Sequence, residues 1–194
     1  LSNGGINILQ NEQSLSMVIC NLKDADSRGV FKTLNLDLRQ YKKLSMFVHA
    51  ESVQGQAPLN DGDLNAVVRI GNDFINNFYE IKYPLRITPF GTSAEDVIWP
   101  ADNTLDFDMS VLVKLKAERN LTSGNANIIH RKEVNGKIYS LVGNPNLGEI
   151  RGLLVGVENA QDPNSTGAPV VARNTRAGIS RASPGSSSPS WNGP

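Results

Sequence analysis

The sequence predicts a mainly β fold, an antiparallel β-sandwich or jelly roll with one short helix. Three observations carry this. Short runs of period-two alternation recur along the chain, clearest at Leu15–Cys20 and Leu44–Ala50. Polar, turn-forming stretches separate them, as at Asn21–Gly29 and Gln54–Asp63. Asn135-Gly136 sits between two β-rich runs, the strongest short-range hairpin signal. Seven to nine short strands at regular spacing are the pattern of a sandwich.

The elements follow in order. Residues 1–13 are polar and read as a linker or edge segment. In the first strand Leu15, Met17 and Ile19 share one face, and Cys20 lies on the other as a small packed residue. Val30–Thr33 restarts a strand after the Asn21–Gly29 turn. Asp37 caps a short turn or one-turn helix over Leu38–Tyr41. In the next strand Leu44, Met46 and Val48 oppose Ser45, Phe47 and His49. Leu64–Ile70 and Phe78–Ile87 follow. Pro84 cannot donate to a ladder, so the latter is expected at an edge or with a bulge.

Asp102–Asn120 fits two periods. Phe107, Met109, Val111 and Val113 alternate, while Leu105, Met109, Leu112 and Lys116 make a helical stripe. Acidic residues at its start and basic ones at its end complement a helix dipole, so the expectation is a helix capped by Asn103, Thr104 or Asp106. Asn127–Val142 reads as the hairpin, and Ile150–Val157 as a further strand. The composition changes near Gln161. Residues 14–170 are therefore expected to form the sandwich domain. Residues 171–194, ending in a Ser- and Pro-rich run, read as a disordered tail.

Composition excludes several function classes. The 194 residues carry 19 basic and 19 acidic side chains, a net charge of zero, which argues against nucleic acid as a partner. No apolar run approaches the ~20 residues of a membrane-spanning helix. The chain opens at Leu1 with no signal-like segment, so it reads as an internal piece of a longer protein. One cysteine cannot close an internal disulfide.

Side chains that could do chemistry are scattered. His49 and His130 are the only histidines and lie far apart, so with Cys20 they make no zinc set. His49 next to Glu51 could form an acid–base pair, although the two share a strand face and the simpler reading is a surface pairing. Asp24 and Asp26, with Asp61-Gly62-Asp63, are carboxylate-bearing loops that read as solvated turns, with a structural Ca²⁺ as the alternative; Asp61–Asn65 lacks the length and terminal Glu of an EF-hand. Glu80 with Asp73, or Glu95 with Asp96, would need a spatial pairing that spacing does not show to act as a glycosidase couple. Phe78, Tyr79, Tyr83, Phe90 and Trp99 could form a sugar platform or serve the core. Dinucleotide, phosphate-loop and nucleophile-elbow motifs are absent from the sequence. The chemistry expected is non-enzymatic, with no cofactor.

A resemblance adds a function. The strings Asn11–Leu22, Arg28–Lys32 and Asp37–Glu51 are similar to the SprA/Sov family of giant outer-membrane proteins. The likeness continues through Asp61-Gly-Asp63, Arg69–Phe74, Tyr79–Leu85, Trp99-Pro100, Lys114–Asn120 and Gly143–Val157, over about residues 10–170. Beyond Pro169 the chain departs from the family pattern. The resemblance implies a fragment of the type IX secretion translocon, serving protein export to the cell surface and gliding motility. It implies a parent chain in the outer membrane, and partners among other secretion components and exported cargo. Loops bearing Asp24, Asp26, Arg28, Asp61 and Asp63 are the expected partner contacts. Asp37–Val48 also resembles galactose-binding-like jelly rolls, which gives a carbohydrate- or cargo-binding module as the alternative.

Overall fold

The computed structural model describes residues 14–56 and 58–160 in full and the backbone of 173–181. The fold is mainly β, with antiparallel sheets facing each other as in a sandwich. The first five strands are β1 (Ser14–Leu22), β2 (Ser27–Leu36), β3 (Lys43–Ser52), β4 (Leu64–Gly71) and β5 (Phe78–Pro84). Then come a one-turn helix α1 (Glu95–Ile98), β6 (Leu105–Asp108) and helix α2 (Ser110–Thr122). The chain closes with β7 (His130–Val134), β8 (Lys137–Val142), β9 (Ile150–Asn159) and β10 (Arg173–Arg181).

One sheet has the order β1-β10-β3-β6, the other β2-β9-β4-β5-β8-β7, and every ladder is antiparallel. Alternation sets the core. Met17 and Ile19 of β1 and Val48 and Ala50 of β3 meet Ala66, Val68, Ile70 and Ile81 of the larger sheet in one apolar cluster. Leu112 and Leu115 of α2 join the same cluster. Leu15, Leu44 and Met46 pack at its margin, and Leu85 lies within it. Asn135 and Gly136 both take positive φ, 51° and 71°, the type I′ geometry that the Asn-Gly pair favours. Asp37 caps a 3-10 turn at Leu38–Gln40 by accepting from the Arg39 N–H.

Four expectations need correction. Asp102–Asn120 is not one helix: β6 occupies Leu105–Asp108 because those residues pair with Lys43–Met46, and α2 begins only at Ser110. Its N-cap position is Met109, without a side-chain cap bond. β5 is interior, and Pro84 is tolerated because it is the terminal residue, facing Asn65 beyond the last β8 partner. Cys20 is exposed rather than packed, since it falls on the outward side of β1. Residues 173–181 of the expected tail form a strand between β1 and β3. The expected linker at 1–13, and the tail at 182–194, lie outside the described residues.

Candidate functional site: two unlike ends of the sandwich

The loops singled out in the sequence converge at one end of the larger sheet. The N–H of Ala25 donates to the Asn159 carbonyl at 3.0 Å, and that of Asn159 donates to the Asp26 carbonyl at 3.0 Å. The next N–H, of Ala160, donates to the Asp63 carbonyl at 2.9 Å. The terminus of β9 thus holds the turn at 23–26 beside the loop at 60–63. Gly62 donates to the Leu85 carbonyl at 2.9 Å, and Asp61 Oδ1 accepts the Ile87 N–H at 2.7 Å, which brings in the segment after β5. Asn103, fully buried, clamps Arg86 by accepting its N–H and donating to its carbonyl, at 2.7 and 2.8 Å.

Of the expected contact residues, Asp24, Asp26, Arg28, Asp61 and Asp63 all belong to this end. Most of their carboxylates have structural work. Asp26 pairs with Arg28 at 2.7 Å, and that guanidinium draws its carboxyl below the ordinary value. Asp63 accepts the Asn60 N–H at 2.7 Å. Asp61 faces Arg86 at 3.7 Å, and Arg86 reaches Asp102 at 3.6 Å. These are charges on a fixed frame rather than an assembled chelate. Among the described residues, no three His, Cys, Asp or Glu side chains group as metal ligands. Beside them runs an open groove between Ser52–Leu59 and Ile87–Phe90, lined by Val53, Pro58, Leu59, Ile87 and Phe90.

The other sites read from the sequence separate. His49 and Glu51 stand 3.7 Å apart and are mostly covered, because Trp99 packs edge-on against His49 and Phe47. His49 Nδ1 lies 2.9 Å from the Ile98 carbonyl, a fastening for α1. Phe78, Tyr79 and Tyr83 are buried, so these three cannot serve as a sugar platform. Burial pushes the Tyr79 hydroxyl up to about 12. Glu80 is engaged by Arg69 at 2.6 Å, and that guanidinium also lies 4.6 Å over the Phe78 ring.

The opposite end went unread in the sequence. Here the loops at 72–77, 123–129 and 143–149 meet around Gly143. Asn77 Oδ1 accepts the Asn144 N–H at 2.9 Å, and Asn72 Oδ1 the Asn146 N–H at 2.7 Å. Gly143 donates to the Ala126 carbonyl at 3.2 Å and accepts from Arg119 of α2. Asp73 gathers the N–H groups of Ile75, Asn76 and Asn77 and the Asn77 amide. Those bonds, with the Asn76 N–H foremost, hold its carboxyl down to about 2. The Asn repetition was the available signal, since Asn bonds local backbone in turns.

A family model described as a motility-related/secretion protein, SprA_N, matches residues 3–180. That span includes β10 and runs past Pro169, which corrects the expected departure from the family pattern there. No curated protein matches the chain.

Proposed function

The chain belongs to the SprA_N family of motility-related and secretion proteins, and from that premise we propose that it is a non-catalytic docking module of a secretion machine. The finer reading is a module of the outer-membrane translocon of type IX secretion, contributing to export and to gliding. Its partners would be other secretion components or exported cargo, and its parent chain would lie in the outer membrane. The observation that carries the docking role is the charged end. There the end of β9 bonds the turn at 23–26 and the loop at 60–63, and the latter bonds the segment at 85–88, so their charges are presented by a preformed surface. Preorganisation lowers the ordering cost of association. Among the described residues no helix is long and apolar enough to cross a membrane.

The test is site-specific photo-cross-linking from Gln54 and Asp63 in cells that carry the full parent protein. Adducts with named secretion components or cargo, lost when Asp61 and Arg86 are both replaced by Ala, are the expected outcome. Deleting the module should impair secretion and leave other envelope enzyme activities intact. The reading fails if no such adduct forms and the isolated chain hydrolyses a glycoside or ester with saturable kinetics lost in Glu80→Gln or His49→Ala.

A further inference from the structure

We infer that the open edge of β2 takes an extended segment of a partner protein as an added antiparallel strand, bonded through Gly29, Phe31 and Thr33, and that this segment turns carboxylates toward Arg28 and Lys32. The inference does not depend on the docking role proposed for the charged end.

β2 ends the larger sheet and, among the described residues, ladders with β9 alone. The bonds at the end of β9 set which of its backbone groups face β2. Asn159 bonds the turn before β2 through both its N–H and its C=O, while the next N–H, of Ala160, turns to Asp63 before β4. Successive residues of a strand direct these groups to opposite sides. Val157, Val155 and Leu153 therefore face β2 and bond their register partners Arg28, Val30 and Lys32. The intervening Gly29, Phe31 and Thr33 point N–H and C=O away from β9. Two observations agree. A Cβ on Gly156 would stand 2.9 Å from the Gly29 α-carbon, a close approach that belongs to a pair without mutual hydrogen bonds. One step earlier, Ser27 gives its N–H to Asp26 Oδ1 at 3.1 Å and its carbonyl to Arg28 Nη1 at 2.9 Å, so both groups lie clear of β9.

The edge is bounded. The ion-paired Asp26 and Arg28 close it at Ser27, and the register shift after Thr33 ends it. Between these limits the groups of Gly29, Phe31 and Thr33 recur about every 6.7 Å, the repeat of a neighbouring strand's own backbone. An unpaired row of this kind is a template for strand addition. β6 and β7 also end sheets but are four and five residues long, and β1 already buries Met17 and Ile19.

The side chains of β2 still have surface to lose. The strand is exposed on both faces from Ser27 to Thr33. Val30 continues the row of Val155 yet is 39% exposed, whereas Val157 is 2% exposed. The apolar layer thus runs out beneath β2, and one more strand extends it. On the other face Phe31 is 67% exposed and meets Phe74 edge-on at 5.6 Å. An aromatic side chain of the added strand would cover Gly29 and pack against Phe31.

Charge selects the occupant. Among the described residues Arg28 has Asp26 as its partner, and no carboxylate pairs with Lys32. A second copy of the chain fits poorly. In antiparallel registers centred on Val30, Phe31 or Lys32, Lys32 falls opposite or diagonal to Arg28 or Lys32 of the second copy, and like charges so placed repel. An alternating acidic segment meets the same two cations with opposite sign.

The experiment is NMR titration of the isotope-labelled 194-residue chain with the capped peptide Thr-Glu-Phe-Val-Phe-Glu-Thr, which carries carboxylates on one face and aromatics on the other. Saturable binding is expected, with new protection from solvent exchange at the Gly29, Phe31 and Thr33 amides. N-methylation of the two Phe amides of the peptide, which face β2, should abolish it. The same peptide with Lys in place of Glu should bind roughly tenfold more weakly, and Lys32→Glu should reverse that preference. This variant should melt with the parent chain, because the side chain is exposed. Absence of binding, equal binding of the N-methylated peptide, or protection confined to β1 would overturn the inference. Binding seen only after removal of residues 1–13 would assign the edge to that segment of the chain instead. Dimerisation through the same amides would assign it to a second copy.

Discussion

Asn77 accepts the backbone N–H of Asn144 through Oδ1 at 2.9 Å, so one side chain fastens the β4–β5 turn to the β8–β9 loop. Its amide nitrogen also donates to Asp73 at 2.9 Å. Asn77→Ala would leave both partners short of a bond in a partly covered site. The expected loss is about 1–3 kcal/mol, read as a lower urea midpoint at unchanged slope. Asn76→Ala, whose side chain is exposed, should cost no more than about 0.5 kcal/mol.

Asp73 supplies a pH dependence. Its pKa in the folded chain is about 2, against an ordinary value of 3.8, because the Asn76 N–H and then the Asn77 amide favour the charged form. The folded state therefore holds this proton less tightly than the unfolded chain. The stabilisation is complete above the ordinary carboxyl range and is lost as pH falls through about 2. Asp73→Asn should melt below the parent chain at pH 7, and the gap should close on acidification through that window. A gap of constant size down to pH 2 would show that the charge is not what Asp73 contributes.

Two glycines separate backbone strain from crowding. Gly136 and Gly143 have φ of +71° and +65°, but a Cβ at 136 meets nothing within 4 Å, whereas at 143 it runs into the Asn76 carbonyl. Gly136→Ala should cost about 1–2 kcal/mol, the penalty of the left-handed conformation. Gly143→Ala should cost that and a further 1–3 kcal/mol for displacing the β4–β5 turn. Equal melting temperatures for the two variants would contradict the close approach.

β10 lies between β1 and β3, pairing Met17 with Ala177 on one side and Ala50 with the same residue on the other. A chain ending at residue 172 would lose both ladders. The expected loss is comparable to a whole domain's stability, about 5–15 kcal/mol, seen as a collapsed thermal transition and reduced β signal in circular dichroism. Retention of the parent melting temperature would mean that the smaller sheet stands without it.

Most strands were legible because burial on one face writes alternation into the sequence. Leu44, Met46 and Val48 all point inward on β3 as the pattern requires. β10 was not legible. Ile179 is the one large aliphatic in its nine residues, and the strand is specified by the two neighbours that pair with it rather than by its own pattern. β6 was hidden for a related reason: a four-residue strand running into α2 shares Met109 with both periods. At the ends of the sandwich, the charged turns could be read from Asp, Gly and Pro. The Asn-rich end could not, since an Asn carries no sign of which loop its side chain joins.

The chain order of the smaller sheet has a consequence in time. Its first strand ladders directly to its last, Ser14 facing Ser180, with the whole larger sheet threaded between them in sequence. A polypeptide emerging N-terminus first therefore carries β1 without a ladder partner, and β3 open along one side, until residues 173–181 arrive. Non-local pairing of this kind closes late and slowly. During that interval two strand edges stand ready to pair with other chains. The nascent protein must be kept apart from its neighbours until its final strand has been delivered, and only then does the smaller sheet zip shut.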